Sequence, residues 1–163
     1  MEPATNGPVG IGGWLFLPAL GLIATPFVIA FGFYKDLLPA FAPDVWNTLT
    51  NPNSAAYNSL WGPLIVYEVL INLALFIFTL WLSWNFFTKS RRVPKLFVIW
   101  LAAIAGTRIL DYLLTYQIPA MAGKPVDPAD VRDLARSFVN AAIWIPYFLR
   151  SKRVKNTFIE PVS

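Results

Sequence analysis

The sequence predicts an all-α membrane protein: a four-transmembrane-helix bundle with a long outward loop containing short interfacial helices. Three observations predict it. The first is composition, because 56% of the 163 residues are hydrophobic and only 13% are charged, against roughly 25% charged in soluble domains. The second is a set of long apolar runs that approach the roughly 20 residues needed to cross a bilayer. The third is the placing of Lys and Arg, which gather beside some spans and avoid others.

The first predicted span, IGGWLFLPALGLIATPFVIAFGFY (11–34), carries no charge. Its apolar stretch is too long for a secretory signal peptide, and the residues before it hold Glu2 but no Lys or Arg. Gly12, Gly13, Gly21 and Thr25 give it a small-residue stripe, and Gly21-x-x-x-Thr25 fits close helix packing. In the loop over 35–59, Leu37, Leu38, Phe41, Val45, Trp46 and Leu49 recur at roughly helical spacing, broken by Pro39 and Pro43. That pattern predicts short helices resting in the interface and anchored by Trp46; a sharper alternative, compatible with the first, is a lid over an outward cavity. The second span is 60–87 and the third 96–118. The fourth, SFVNAAIWIPYFL (137–149), is too short in apolar terms. It reaches spanning length only if the helix begins near Pro128, with Asp127 as its N-cap. The fourth span is therefore 128–149, followed by a basic tail over 150–163, and the whole of 1–163 forms one domain.

Lys and Arg set the orientation. The link TKSRRVPK holds Lys89, Arg91, Arg92 and Lys95 with no acid, and the tail holds Arg150, Lys152, Arg153 and Lys155. The opposite loops hold Lys35 and Lys124 against Asp36, Asp44, Asp127 and Asp130. Both termini and the 88–95 link are thus expected in the cytoplasm, with 35–59 and 119–127 outside.

The same composition excludes several kinds of chemistry. The chain has no Cys and no His, so disulfides, thiol redox reactions and His-ligated haem are ruled out, and zinc would lack both preferred ligands. Met1 and Met121 cannot make a soft-metal site. Neither a cofactor nor a metal is expected. The net charge of +4 lies beside apolar spans, where anionic lipid headgroups meet it, and does not point to nucleic acid.

The residues that do point to a site lie inside the spans. Glu68 and Asn72 are i,i+4; Arg108, Asp111, Tyr112 and Thr115 fall at offsets 0, 3, 4 and 7; Arg132, Arg136 and Asn140 fall at 0, 4 and 8. Each set lines one face of its helix. At about 1.5 Å per residue, Glu68, Asp111 and Arg136 lie roughly 9–12 Å in from the outer ends and Arg108 roughly 15 Å. A charge facing lipid at mid-depth costs roughly 2.5–3.5 kcal/mol, so the three stripes are expected to face one another, Glu68 and Asp111 balancing Arg108 and Arg136.

Two stretches also carry a resemblance. GIGGWLFLPALGLI (10–23) resembles the opening signature of small bacterial inner-membrane proteins grouped as domain of unknown function 2569, and IWIPYFLRSKRVKNTF (143–158) is similar to that family's ending. The resemblance implies a bacterial four-span inner-membrane protein and implies no activity.

Two functions compete. One is a binding or transport-type module whose outward cavity holds a small polar, zwitterionic or lipid-headgroup ligand on Glu68, Asn72, Arg108, Asp111, Arg136 and Asn140. Arg108 and Arg136 suit a carboxylate or phosphate, and Glu68 and Asp111 an amine. The other is a structural or accessory subunit, homo-oligomeric or bound to a membrane partner, in which the charges only fix helix packing. No nucleophile with a base is evident, so catalysis is not expected. Span one lacks the acid of small multidrug-type exporters, and no span holds the Lys a retinal protein needs.

Overall fold

Long unbroken apolar runs make long helices in the computed structural model of the chain, which describes residues 7–118, 125 and 127–158. Every regular element among them is helical. Among the described residues three stretches are long and apolar enough to cross a membrane: Gly13–Phe41, Trp61–Phe87 and Val93–Thr115. The first is composite. A 3-10 turn over Gly13–Leu15 leads into α1 (Phe16–Gly32), then a wide π turn (Phe33–Leu37) and a second 3-10 turn (Leu38–Phe41). The helical backbone thus runs past Tyr34, where the sequence predicts a loop. Lys35 and Asp36 are exposed, and Pro39 stands in the first turn of the 3-10 segment, where a missing N–H breaks no bond. The stop comes at Ala42, extended before Pro43. Pro43 opens the short helix α2 (Pro43–Thr50), whose Trp46 stacks on Phe41 with ring centroids 5.6 Å apart.

The other long helices are α3 (Trp61–Phe87), α4 (Val93–Thr115) and α5 (Pro128–Arg150), followed by the short α6 (Lys152–Thr157). The start of α5 follows from its sequence. The Asp127 side chain accepts the Ala129 N–H at 2.7 Å, and Pro128 fills the first helical position. The predicted fourth span is where expectation and structure part. Asp130, Arg132, Asp133 and Arg136 make the first half of α5 too polar to count with the other three as membrane-length apolar helices.

The helices pack as a row, α1 on α3, α3 on α4, and α4 on α5. The core gathers at the end of the molecule that holds the α3–α4 turn and α6, called here the terminal end. Leu15, Leu22, Leu82, Phe86, Val93, Phe97, Phe148 and Val154 form its centre. Two polar contacts serve it. Pro26 has no N–H to give the Leu22 carbonyl, and the Ser83 hydroxyl of α3 lies 3.3 Å from that oxygen, shared with Thr79 O at 2.7 Å. The Trp100 Nε1–H donates to Thr79 Oγ1 at 2.9 Å, so a buried indole is satisfied across the α3–α4 seam. Gly21 has open space at its missing Cβ, so the Gly21–Thr25 stripe does not serve packing within this chain. Thr25 instead bonds Gly21 O within its own helix.

The two stretches that carry the family resemblance meet at this end as one clasp. Gly10 N–H donates to Thr157 Oγ1 at 2.9 Å, and Arg153 reaches Gly10 O at 3.5 Å. The Arg153 guanidinium lies over Gly12 and Gly13, where an added Cβ would come within 3.2 and 3.4 Å of it. Gly13 also has φ of +54°. The two glycines are therefore needed for different reasons. Gly13→Ala is expected to lower stability by about 1–2 kcal/mol through the left-handed backbone, and Arg153→Ala should not restore it. Gly12→Ala acts through the contact alone, so Arg153→Ala should remove its incremental cost. Thermal melts of the four variants and the double mutants in detergent would check this, and an equal response of both glycines to loss of Arg153 would refute it.

Candidate functional site

At the other end of the row, the loop end, polar side chains from three helices converge. Glu68 lies two turns into α3. Arg108, Asp111, Tyr112 and Thr115 form one stripe on the last two turns of α4. Asp130, Asp133 and Leu134 share a face at the start of α5. Together these eight residues line a cavity of about 140 Å³. The register between α4 and α5 is tied locally, because the Asp127 N–H donates to the Tyr116 hydroxyl at 3.3 Å and Tyr116 packs on Tyr112 at 4.7 Å.

Of the six residues expected at the site, the structure brings together Glu68, Arg108 and Asp111. Asn72, Arg136 and Asn140 are not on the cavity wall. The Asn72 side chain donates to Glu68 O of its own helix at 2.8 Å. Arg136 pairs with Asp133 at 3.3 Å, with both side chains more than half exposed. Asn140 is exposed on the same side of α5 as Arg132 and Arg136. Sequence reasoning chose the 132–136–140 stripe and passed over Asp130 and Asp133. A signal for them was present: Leu134, Ser137, Ala141, Trp144 and Phe148 recur at offsets of 3 and 4. Extended back one turn, that apolar and small stripe reaches Asp130 and Asp133. The face that buries Ser137 and Phe148 is the face that turns those acids toward α4.

This changes the charge balance. The expectation was two acids against two arginines. Among the described residues the wall instead holds four carboxyl groups, Glu68, Asp111, Asp130 and Asp133, and one guanidinium, Arg108. Glu68 and Asp111 approach each other directly across the α3–α4 seam, with Arg108 near enough for its charge to reach both. Asp111 Oδ1 and the Tyr67 hydroxyl are buried without a hydrogen-bond partner among the described residues. A buried polar atom left unpaired costs about 1–3 kcal/mol, so each calls for a partner. No described carboxylate lies within ion-pair distance of Arg108, which is exposed. Among the described residues no three His, Cys, Asp or Glu side chains are arranged to hold a metal ion.

The structure therefore defines an all-helical protein with, among the described residues, three membrane-length apolar helices, closed at one end by an aromatic core and opened at the other into a carboxylate-rich cavity. Its chain belongs to the family described as protein of unknown function (DUF2569), whose model matches residues 8–159. It is similar to the inner membrane protein YdgK of Escherichia coli (strain K12), with 33% identity over 158 residues, covering 96% of this chain and 99% of that protein. No solved structure matches.

Proposed function

We propose that this chain is a bacterial inner-membrane protein in which α1, α3, α4 and α5 all cross as one unit, with both termini cytoplasmic. Its outward-facing cavity binds or transports a small polar, zwitterionic or lipid-headgroup ligand. The observation that carries the binding reading is the buried Asp111 Oδ1, without a partner among the described residues, beside a cavity of mixed charge. A charge network built only as glue would be expected to close on itself. The membrane placing draws on the similarity to an Escherichia coli inner membrane protein and on the apolar helices. The 23 residues of α5 extend about 35 Å, enough for the roughly 30 Å hydrocarbon core. Its polar first turns face α4, and Arg132 and Arg136 can extend toward the interface.

The depth of the cavity suits a headgroup. The 27 residues of α3 measure about 40 Å, so about 5 Å projects beyond the hydrocarbon at each end. Glu68, about 10 Å from the start of α3, sits just inside the boundary between headgroups and acyl chains.

One observation favours the second reading, an accessory subunit. Arg132, Arg136 and Asn140 are exposed on α5 away from the cavity, and a polar stripe on a membrane helix fits a protein partner as well as it fits headgroups.

The chain has no cysteine, so single cysteines report without background. Asn53→Cys in the exposed loop and Thr115→Cys on the cavity wall should react with an impermeant thiol reagent in intact cells. Lys155→Cys, on the exposed face of α6, should react only after permeabilisation. Labelling of Lys155→Cys alone would reverse the orientation. A silent Thr115→Cys beside a labelled Asn53→Cys would close the cavity and favour the accessory-subunit reading.

A further inference from the structure

The ligand reading leaves open which end of a zwitterion enters first, and the arrangement of charge in the cavity decides it. Resting on that reading, we infer that the cavity receives a primary ammonium group, held at depth by Glu68 and Asp111, while the ligand's anionic group stays at the mouth beside Arg108. The carboxyl groups are graded in burial. Glu68 and Asp111 are half-buried, whereas Asp130, Asp133 and Arg108 are exposed. Among the described residues the only guanidinium on the wall is thus at the rim, and the deep end is carboxylate. An anion pushed inward would meet Glu68 and Asp111 with no described cation beyond them.

Three further features narrow the cation. Among the described residues Asp111 Oδ1 is buried and lacks a donor, and Glu68 faces the same carboxyl group. Two facing carboxyl groups are relieved either by a proton shared between them or by a cation that donates N–H groups to both, and the cavity beside them leaves room for the second. A primary ammonium carries three N–H donors on a compact charge. A quaternary ammonium has no N–H donor, and its recognition rests on a cage of aromatic faces. Tyr112 is the one aromatic residue on this wall among the described residues, which is no cage. The volume is also small. A cavity of about 140 Å³ admits an ethanolamine-sized group, and a phosphate or carboxylate on the same molecule then falls level with Arg108. Both a free zwitterion and the headgroup of an aminophospholipid present that chemistry.

The test is calorimetric titration of the purified full-length protein with phosphoethanolamine, phosphocholine and glycerol phosphate, alongside thermal melts in nanodiscs of phosphatidylethanolamine and of phosphatidylcholine. Phosphoethanolamine is expected to bind at least tenfold more tightly than phosphocholine, and glycerol phosphate not at all. Glu68→Gln and Asp111→Asn, close in shape to the native side chains, should each weaken it at least tenfold, while Arg136→Ala leaves it unchanged. Arg108→Gln should weaken phosphoethanolamine but not ethanolamine itself. Stabilisation confined to phosphatidylethanolamine nanodiscs, again lost in Glu68→Gln, would give the same answer with a lipid as the source. If glycerol phosphate or phosphocholine binds as tightly as phosphoethanolamine and Glu68→Gln abolishes that binding, the ammonium assignment is wrong and the cavity reading survives. If no probe binds and the two nanodisc melts agree, both are wrong.

Discussion

Phe148→Ala is expected to be the most damaging single change in this chain, lowering stability by about 3–5 kcal/mol. Phe148 is 1% exposed and sits where three elements meet. Its ring stacks on Phe97 of α4 with centroids 3.9 Å apart and planes 5° from parallel. Tyr147 lies against it edge-on at 5.9 Å, and Phe158, beyond α6, packs at 6.5 Å. Alanine would leave a hole that three rigid rings cannot fill without moving α5. In a membrane protein the loss is chiefly of packing, because lipid is as apolar as the core, yet this core lies at the terminal end, where water and headgroups compete for the opened space. At roughly 2–4 °C per kcal/mol for a chain of this size, the melting temperature of the detergent-solubilised protein should fall by about 6–20 °C. A fall below about 2 °C would mean that α5 is not held to α4 through this stack.

Thr79→Val comes next, at about 1–3 kcal/mol. The substitution preserves shape and removes one oxygen. That oxygen is the acceptor for the Trp100 Nε1–H at 2.9 Å, and Thr79 itself is fully buried. The indole N–H would be left without a partner between two apolar helices, where water cannot replace the lost bond. The double mutant separates this cause from ordinary repacking. Trp100→Phe removes the donor, so Thr79→Val on that background should cost clearly less than on the native one, with a coupling of about 1 kcal/mol or more. Additive melts for the two substitutions would show that the bond contributes nothing.

Much of the fold was readable because helix formation in this chain rests on local patterns. Residues 61–87 and 93–115 are apolar runs that can only be helical in lipid, and Asp127–Pro128 is a start signal whose hydrogen bond forms as expected. The clasp was half readable. GIGG and the residues from Arg150 to Phe158 stand out as motifs, but nothing local links Gly10 to Thr157, which lie 147 residues apart. The far end of the first helix was misjudged because Lys35, Asp36 and Pro39 are ordinary loop residues by type, yet each is tolerated at a helix end that leaves the apolar zone.

By itself, then, the sequence determined the three long apolar helices, the Asp127 start of α5, the end-signature motifs, and the presence of charge at one level on two of the apolar helices and on α5. The tertiary structure alone decided which of that charge meets. An α-helix of 3.6 residues per turn sets Asp130–Asp133 and Arg132–Arg136–Asn140 on neighbouring stripes of α5, and both are polar, so the local pattern does not say which turns inward. Packing chose: Phe148 stacks on Phe97 and Ser137 is buried, and that rotation carries Asp130 and Asp133 to α4 and Arg136 away from it. A cavity that reads as balanced along the chain is acidic in three dimensions, because the rotation of one helix is set by contacts at its far end.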